Sequence, residues 1–139
     1  MPKDINGALG FIHYGVDNIN YQLNRDVIPH NISLSGENFK LARQVSINGN
    51  DGQLIIEVEL FEKGNNKYPF YLSFIIYGIF TNKGLEAGQF QRAVEYNGTA
   101  LLFPFIRSTV ADITKIANNG TTLLLPTINV NALIEDSKK

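Results

Sequence analysis

The run Pro69-Phe70-Tyr71-Leu72-Ser73-Phe74-Ile75-Ile76-Tyr77-Gly78-Ile79-Phe80-Thr81 decides the fold. Side chains alternate across a strand, so Phe70, Leu72, Phe74 and Ile76 share one face, and Tyr71, Ile75, Tyr77 and Ile79 share the other. Both faces are apolar. Such a strand has to be covered twice, by helices on one side and by another subunit on the other. This reading predicts an oligomer whose interface is Tyr71, Ile75, Tyr77 and Ile79.

Three more strands precede it. Gln53 to Lys63 places Leu54, Ile56, Val58 and Leu60 on one face and Glu57 and Glu59 on the other, the pattern of a half-buried antiparallel strand. Asn48-Gly49-Asn50-Asp51-Gly52 before it is the strongest turn signal in the chain, with two sites that tolerate positive φ. Phe39 to Ile47 alternates Phe39, Leu41, Val45 and Ile47 against Lys40, Gln44 and Ser46. Phe11 to Leu23 alternates imperfectly and reads as a strand or a broken pair, joined to the next by a connection, Asn24 to Ser35, with Pro29. The four strands are expected to meander in chain order. Lys63 to Lys67 is a second turn.

After Gly84 the period changes. Glu86 to Tyr96 reads as a short helix. From Thr99 to Asn118 an apolar stripe runs Leu102, Ile106, Val110, Ile113, Ala117, with Pro104 suited to a first turn and the regular part beginning near Phe103. Asn118-Asn119-Gly120 is a stop signal. Leu123 to Pro126 reads as an extended apolar linker, and Asn129 to Asp136 as a final helix capped by Asn129. Strands followed by helices give the α+β class: a four-stranded antiparallel sheet backed by C-terminal helices, in one domain over residues 1–139.

Composition narrows the function. The chain has 139 residues, no cysteine and a formal net charge of −1. A disulfide framework and a thiolate metal site are excluded. Acidic and basic residues are dispersed, so no basic patch is offered to nucleic acid or anionic lipid. No apolar run approaches the ~18 residues of a membrane span, and no N-terminal signal is evident, so membrane insertion is not expected and the cytoplasm is the expected compartment. His13 and His30 lack carboxylates at ligand spacing, so no metal is expected. No serine lies in a nucleophile elbow and no glycine run cradles a phosphate. Glu57 and Glu59 share a strand face that reads as solvated surface. Asn31-Ile32-Ser33, Asn97-Gly98-Thr99 and Asn119-Gly120-Thr121 match the glycosylation pattern, which means little without a secretion signal. Neither a catalytic residue nor a cofactor is expected.

Nine Phe and six Tyr, without Trp, are a surplus for a small core. Phe70/Tyr71 after Pro69 and Phe103/Phe105 around Pro104 stand out. They read either as core and subunit interface or as an apolar groove for extended polypeptide.

The C-terminal half carries a resemblance. Gly78-Ile79-Phe80, Gly84-Leu85-Glu86, Leu102-Phe103-Pro104-Phe105-Ile106-Arg107 and Leu124-Leu125-Pro126-Thr127-Ile128-Asn129-Val130-Asn131-Ala132-Leu133 resemble the SecB family of protein-export chaperones. There the stretches read about G-I-F, G-x-E, L-F-P-Y-A-R-E and a proline followed by V-N-F-D-A-L. The agreement runs from about Phe70 to Leu133, and Tyr14 to Tyr21 resembles the family's first strand. The resemblance implies dimers that commonly stack into tetramers, and ATP-independent binding of non-native chains in apolar grooves. Members that deliver clients to the motor SecA use acidic residues on the first and last strands. The matching positions, Asn18, Gln22 and Ser73, are neutral, and with six residues after Leu133 the family's long last helix and motor-binding tail are not expected. Weak or no binding to SecA is therefore expected, and shorter SecB-like proteins that protect an antitoxin fit the pattern better.

The reading taken from this resemblance is a holding chaperone whose unfolded clients bind along Phe39, Leu41, Phe103, Phe105 and Leu124. The alternative is an interaction module on the same fold that binds one fixed protein. A third is a ligand-binding or catalytic protein on that fold.

Overall fold

The computed structural model describes residues 8–27, 38–64, 67–117, 123–125 and 129–137. Four strands, β1 (Leu9–Leu23), β2 (Phe39–Asn48), β3 (Asp51–Leu60) and β4 (Phe70–Asn82), precede α1 (Ala87–Arg92), a π-helical turn (Ala93–Asn97), α2 (Gly98–Ala117) and α3 (Val130–Ser137). All strand pairs are antiparallel, in the order β1-β4-β3-β2.

That order corrects the expected meander. β2, β3 and β4 do follow in sequence, but β1 pairs with β4, as Tyr14 with Gly78 and Val16 with Ile76. The physical reason is the composition of β4. The strand with apolar side chains on both faces is the one that gains most from neighbours on both edges, so it lies inside the sheet and β1 closes its far side.

The two faces of β4 separate as its alternation requires. Leu72, Phe74 and Ile76 are at most 2% exposed and pair across to Leu60, Val58 and Ile56 beneath the helices. Ser73, Ile75, Tyr77 and Ile79 are half-buried on the other face, which no described helix covers. Tyr71 lies on that side too, and its hydroxyl donates to Glu59 Oε2 at 2.9 Å. Burial, first, and the Glu59 carboxylate push the Tyr71 hydroxyl above its ordinary pKa, against a hydrogen bond with Ser73.

At the β2–β3 turn Gly49 takes φ +62°. Gly52, expected as a second such site, serves a different purpose. A Cβ there would lie 2.9 Å from Val94 Cγ2, so the missing side chain lets the π turn approach the sheet. Gly98 does the same at the start of α2, where a Cβ would meet Phe80 Cζ at 3.0 Å and Leu54 Cδ2 at 3.2 Å.

The helical layer also differs from its expectation. Glu86 caps α1 with Gln89 in a reciprocal box. The chain then stays helical through the π turn into α2, so Pro104 lies inside a helix rather than in its first turn. Lacking an N–H, Pro104 leaves the Ala100 carbonyl without its usual partner. Phe90, Val94, Gly98, Leu102, Ile106 and Val110 are all buried, each four residues from the last. At 3.6 residues per turn an ideal α-helix drifts by about 40° at every such step. The π turn takes up an extra residue and offsets that drift between Phe90 and Gly98. Ile113 and Ala117 end the stripe half-buried. Asn129 caps α3, its Oδ1 accepting from the Ala132 N–H at 3.2 Å, and Val130 and Ile134 are buried. The expected stop at Asn118 to Gly120, His30 and the patterns at Asn31 and Asn119 lie outside the described residues.

Candidate functional site

Large apolar side chains remain exposed along one edge of the molecule, where β1 meets α2. Phe11, Tyr14 and Leu101 are 36%, 37% and 40% exposed. Tyr14 stacks on Phe105 with centroids 4.1 Å apart, and Phe11 stacks on Phe80 at 5.2 Å and lies 6.3 Å from Phe105. Phe80 anchors the strip in the core, at 0% exposed. Leu101 and Phe105, four residues apart on α2, share one helix face. The result is a fixed aromatic strip with one side in water, beside a strand whose outer edge pairs with no described residue.

On the other flank of Pro104 lies an open hollow of about 370 Å3, lined by Arg107, Ser108, Ala111, Leu124 and Leu125. Arg107 Nε donates to the Leu125 carbonyl at 3.2 Å, tying the segment after α2 to the helix.

Of the residues expected to bind clients, Phe105 lies in the strip and Leu124, 73% exposed, lines the hollow. Phe39, Leu41 and Phe103 are 4%, 2% and 5% exposed and belong to the core. The structure does not bring the five into one groove. The side chains it adds are Phe11 and Tyr14. Their strand alternates poorly because bulges shift its register between Phe11 and His13 and between Asp17 and Asn20. Tyr71, Ile75, Tyr77 and Ile79, expected at a subunit interface, do share one face. His13 joins that face, its Nε2 3.2 Å from the Tyr77 hydroxyl.

Sequence reasoning also passed over Arg43. In the series Phe39, Leu41, Arg43, Val45, Ile47 it occupies a core-facing position, and that parity was the available signal. Its side chain is 1% exposed. Nη1 donates to the Glu95 carbonyl at 3.3 Å, to Thr99 Oγ1 at 3.2 Å and to Asn131 Oδ1. Nη2 pairs with Glu95 Oε1 at 3.5 Å, and the guanidinium lies 4.6 Å over the Tyr96 ring. Asn131 Nδ2 in turn donates to the Tyr96 carbonyl. One buried cation thus ties β2, the π turn, α2 and α3 together. Each of these partners is a structural group within the chain, so this is a fastening.

Among the described residues no three His, Cys, Asp or Glu side chains gather as metal ligands. No described helix is long and apolar enough to cross a membrane.

Comparison with known proteins agrees with this architecture. The family model described as preprotein translocase subunit SecB matches residues 37–139. The uncharacterised protein MJ0357 of Methanocaldococcus jannaschii is 28% identical over 131 residues, spanning 91% of this chain and 83% of its own. Among solved structures, the Mycobacterium tuberculosis Rv1957 SecB-like chaperone, in complex with a ChAD peptide from the Rv1956 HigA1 antitoxin, superposes with TM-score 0.64 at 14% identity, covering 88% of this chain and 91% of that one. A Streptococcus agalactiae protein of unknown function gives TM-score 0.51 at 14% identity, over 86% and 97%.

Proposed function

The chain belongs to the SecB family, and from that premise we propose that it is an ATP-independent holding chaperone of the cytoplasm, a single-domain protein that captures unfolded polypeptides and catalyses no reaction. The observation that carries this reading is the strip Phe11, Tyr14 and Phe105, with Leu101 beside it. Aromatic faces held by stacking bury apolar side chains of many shapes at little entropic cost, which suits clients of varied sequence. Each contact is weak. A long client spanning the strip, the Pro104 hollow and equivalent sites on further subunits gains avidity of about 10² to 10⁴.

Assembly is part of the proposal. Ile75, Tyr77 and Ile79 on the uncovered sheet face, with Tyr71 at its end, are the surface assigned to stacking on another copy. Delivery to SecA is not, because Asn18, Gln22 and Ser73 supply no acidic contact. The test is suppression of aggregation of a chemically unfolded protein by near-stoichiometric amounts of the chain, without nucleotide. Tightness rising with client length and no affinity for the folded client support the reading. Undiminished aggregation refutes it.

A second reading is favoured by the antitoxin peptide held in the Mycobacterium tuberculosis structure. In it the same strip serves one fixed partner, and suppression is confined to that protein.

A further inference from the structure

Among the described residues, glycine follows asparagine or aspartate at Asn48-Gly49, Asp51-Gly52 and Asn97-Gly98. In such a pair the glycine nitrogen can attack the carbonyl carbon of the preceding side chain, because no following Cβ shields it. Whether it does so depends on how firmly the fold holds the pair, and these three are held differently. Asn6-Gly7 and Asn119-Gly120 lie outside the described residues.

Asp51-Gly52 is clamped. Gly52 is buried and pairs with Ile47 on one side and Phe80 on the other. A Cβ there would lie 2.9 Å from Val94 Cγ2 and 3.1 Å from Phe90 Cζ, so the backbone has no room to swing. Asn97-Gly98 is held by the helical layer. The Gly98 N–H donates to the Ala93 carbonyl, and the residue is buried against Phe80 and Leu54.

Asn48-Gly49 is open. Asn48, Gly49 and Asn50 are all exposed. The Asn48 side-chain amide and the Gly49 N–H have no hydrogen-bond partner among the described residues. Nothing lies within 4 Å of the place a Gly49 Cβ would take, so this backbone can turn without collision. The rest of the hairpin end stays tethered, since the Asn50 carbonyl accepts from the Asn82 N–H at 2.8 Å.

We propose that Asn48 is a self-modification site, converted slowly to aspartate and isoaspartate while the chain stays folded. The Gly49 nitrogen bonds to Asn48 Cγ and gives up its proton, ammonia leaves, and a cyclic imide forms. Water then adds to either ring carbonyl and breaks one of the two C–N bonds. The exchange is amide plus water for carboxylic acid plus ammonia, and water is the only co-reactant. The new carboxylate stands opposite Asp51, the cross-strand partner of Asn48, and like charges so placed weaken a hairpin. The isoaspartate product also lengthens the main chain at the last pair. Aged molecules therefore carry a looser β2–β3 turn and one more negative charge. This site depends on neither client binding nor assembly.

The experiment incubates the full, folded chain in warm, mildly alkaline buffer and follows two tryptic peptides by mass spectrometry. Gln44–Lys63 contains Asn48, and Ala93–Arg107 contains Asn97 as the internal control. An unincubated sample gives the blank. Conversion at Asn48 is expected to outrun that at Asn97 by about tenfold or more, because Asn97 reacts only in molecules whose helical corner has opened. Fragment ions should place the change at Asn48, and heavy-oxygen water should leave one labelled oxygen in the product. In guanidinium chloride, where the fold no longer protects either pair, the two rates are expected to come within a few-fold of each other. No conversion at Asn48 in the folded chain, equal conversion at Asn97, a product at Asn50 instead, or the same tenfold gap in denaturant overturns the proposal.

Discussion

Removing the Arg43 side chain should weaken the fold at a place that can be named beforehand. Arg43→Ala deletes a cation that is 1% exposed and satisfies the Glu95 carbonyl, Thr99 Oγ1 and Asn131 Oδ1. Breaking a buried pair by taking one partner costs about 3–5 kcal/mol, because the other charge is left uncompensated. Here the remaining carboxylate is Glu95, 26% exposed, which regains some water and brings the cost to the lower end. The packing over Tyr96 is lost as well. A destabilisation of about 3 kcal/mol, or roughly 10 °C in Tm for a chain of this size, is the expected result. It should be uneven. α3 depends on Asn131, Val130 and Ile134 for its hold, so amide exchange over Val130–Ser137 should accelerate before that of β3. A double-mutant cycle with Asn131→Ala isolates the fastening, and a coupling of at least about 1 kcal/mol is expected for residues in one network. Additive effects, or a cost for Arg43→Ala below about 1 kcal/mol, refute the reasoning.

Gly98→Ala forces a methyl against Phe80 and Leu54 and should cost about 1–3 kcal/mol by overpacking, read from denaturant midpoints. Phe105→Ala removes a half-buried ring that stacks on Tyr14. It should weaken client binding severalfold with a smaller melting loss than the ~3–5 kcal/mol of a fully buried phenylalanine, and unchanged client affinity in a folded variant removes Phe105 from the site. Ile75→Glu sets a charge where apolar burial is worth about 1.5–3 kcal/mol and should reduce the assembly mass in light scattering. Burial raises the pKa of both Tyr21 and Tyr71, so the stability they lend is intact below the free phenol value of about 10 and is lost as pH rises above it. Tyr21→Phe should flatten that alkaline loss in melts. It should also be near neutral at pH 7, since its buried hydroxyl has no partner among the described residues.

The strands were legible where one rule governed them. Leu54 to Leu60 and Phe70 to Phe80 alternate without interruption, and both lie as expected. β1 was blurred because Ile12, Asn18 and Ile19 are bulged out of the ladder, which breaks the period of two. The pairing of β1 with β4 was not legible, because register between distant segments depends on the whole sheet. The site was read through the Phe103-Pro104-Phe105 motif, and the helix turns these two rings to different surroundings. Phe103 enters the core while Phe105 reaches Tyr14, a separation that two positions on a helix produce and two on an extended linker do not. Arg43 was readable in principle, since only parity separates it from Lys40, Gln44 and Ser46. Its partners come from as far along the chain as Asn131, and nothing local announces them.

The π turn between Ala93 and Asn97 bears on how this chain should be aligned with its kin. A π turn is one residue more than a plain helical turn needs, so it behaves as an accommodated insertion. Relatives that pass through this corner as unbroken α-helix should be one residue shorter between the counterparts of Phe90 and Gly98. An alignment that places its gap in the preceding loop instead will shift every position of α1 by one. Deleting a single residue inside the turn should be survivable, closing it to a plain helical turn and leaving the face that α1 presents to the sheet unchanged.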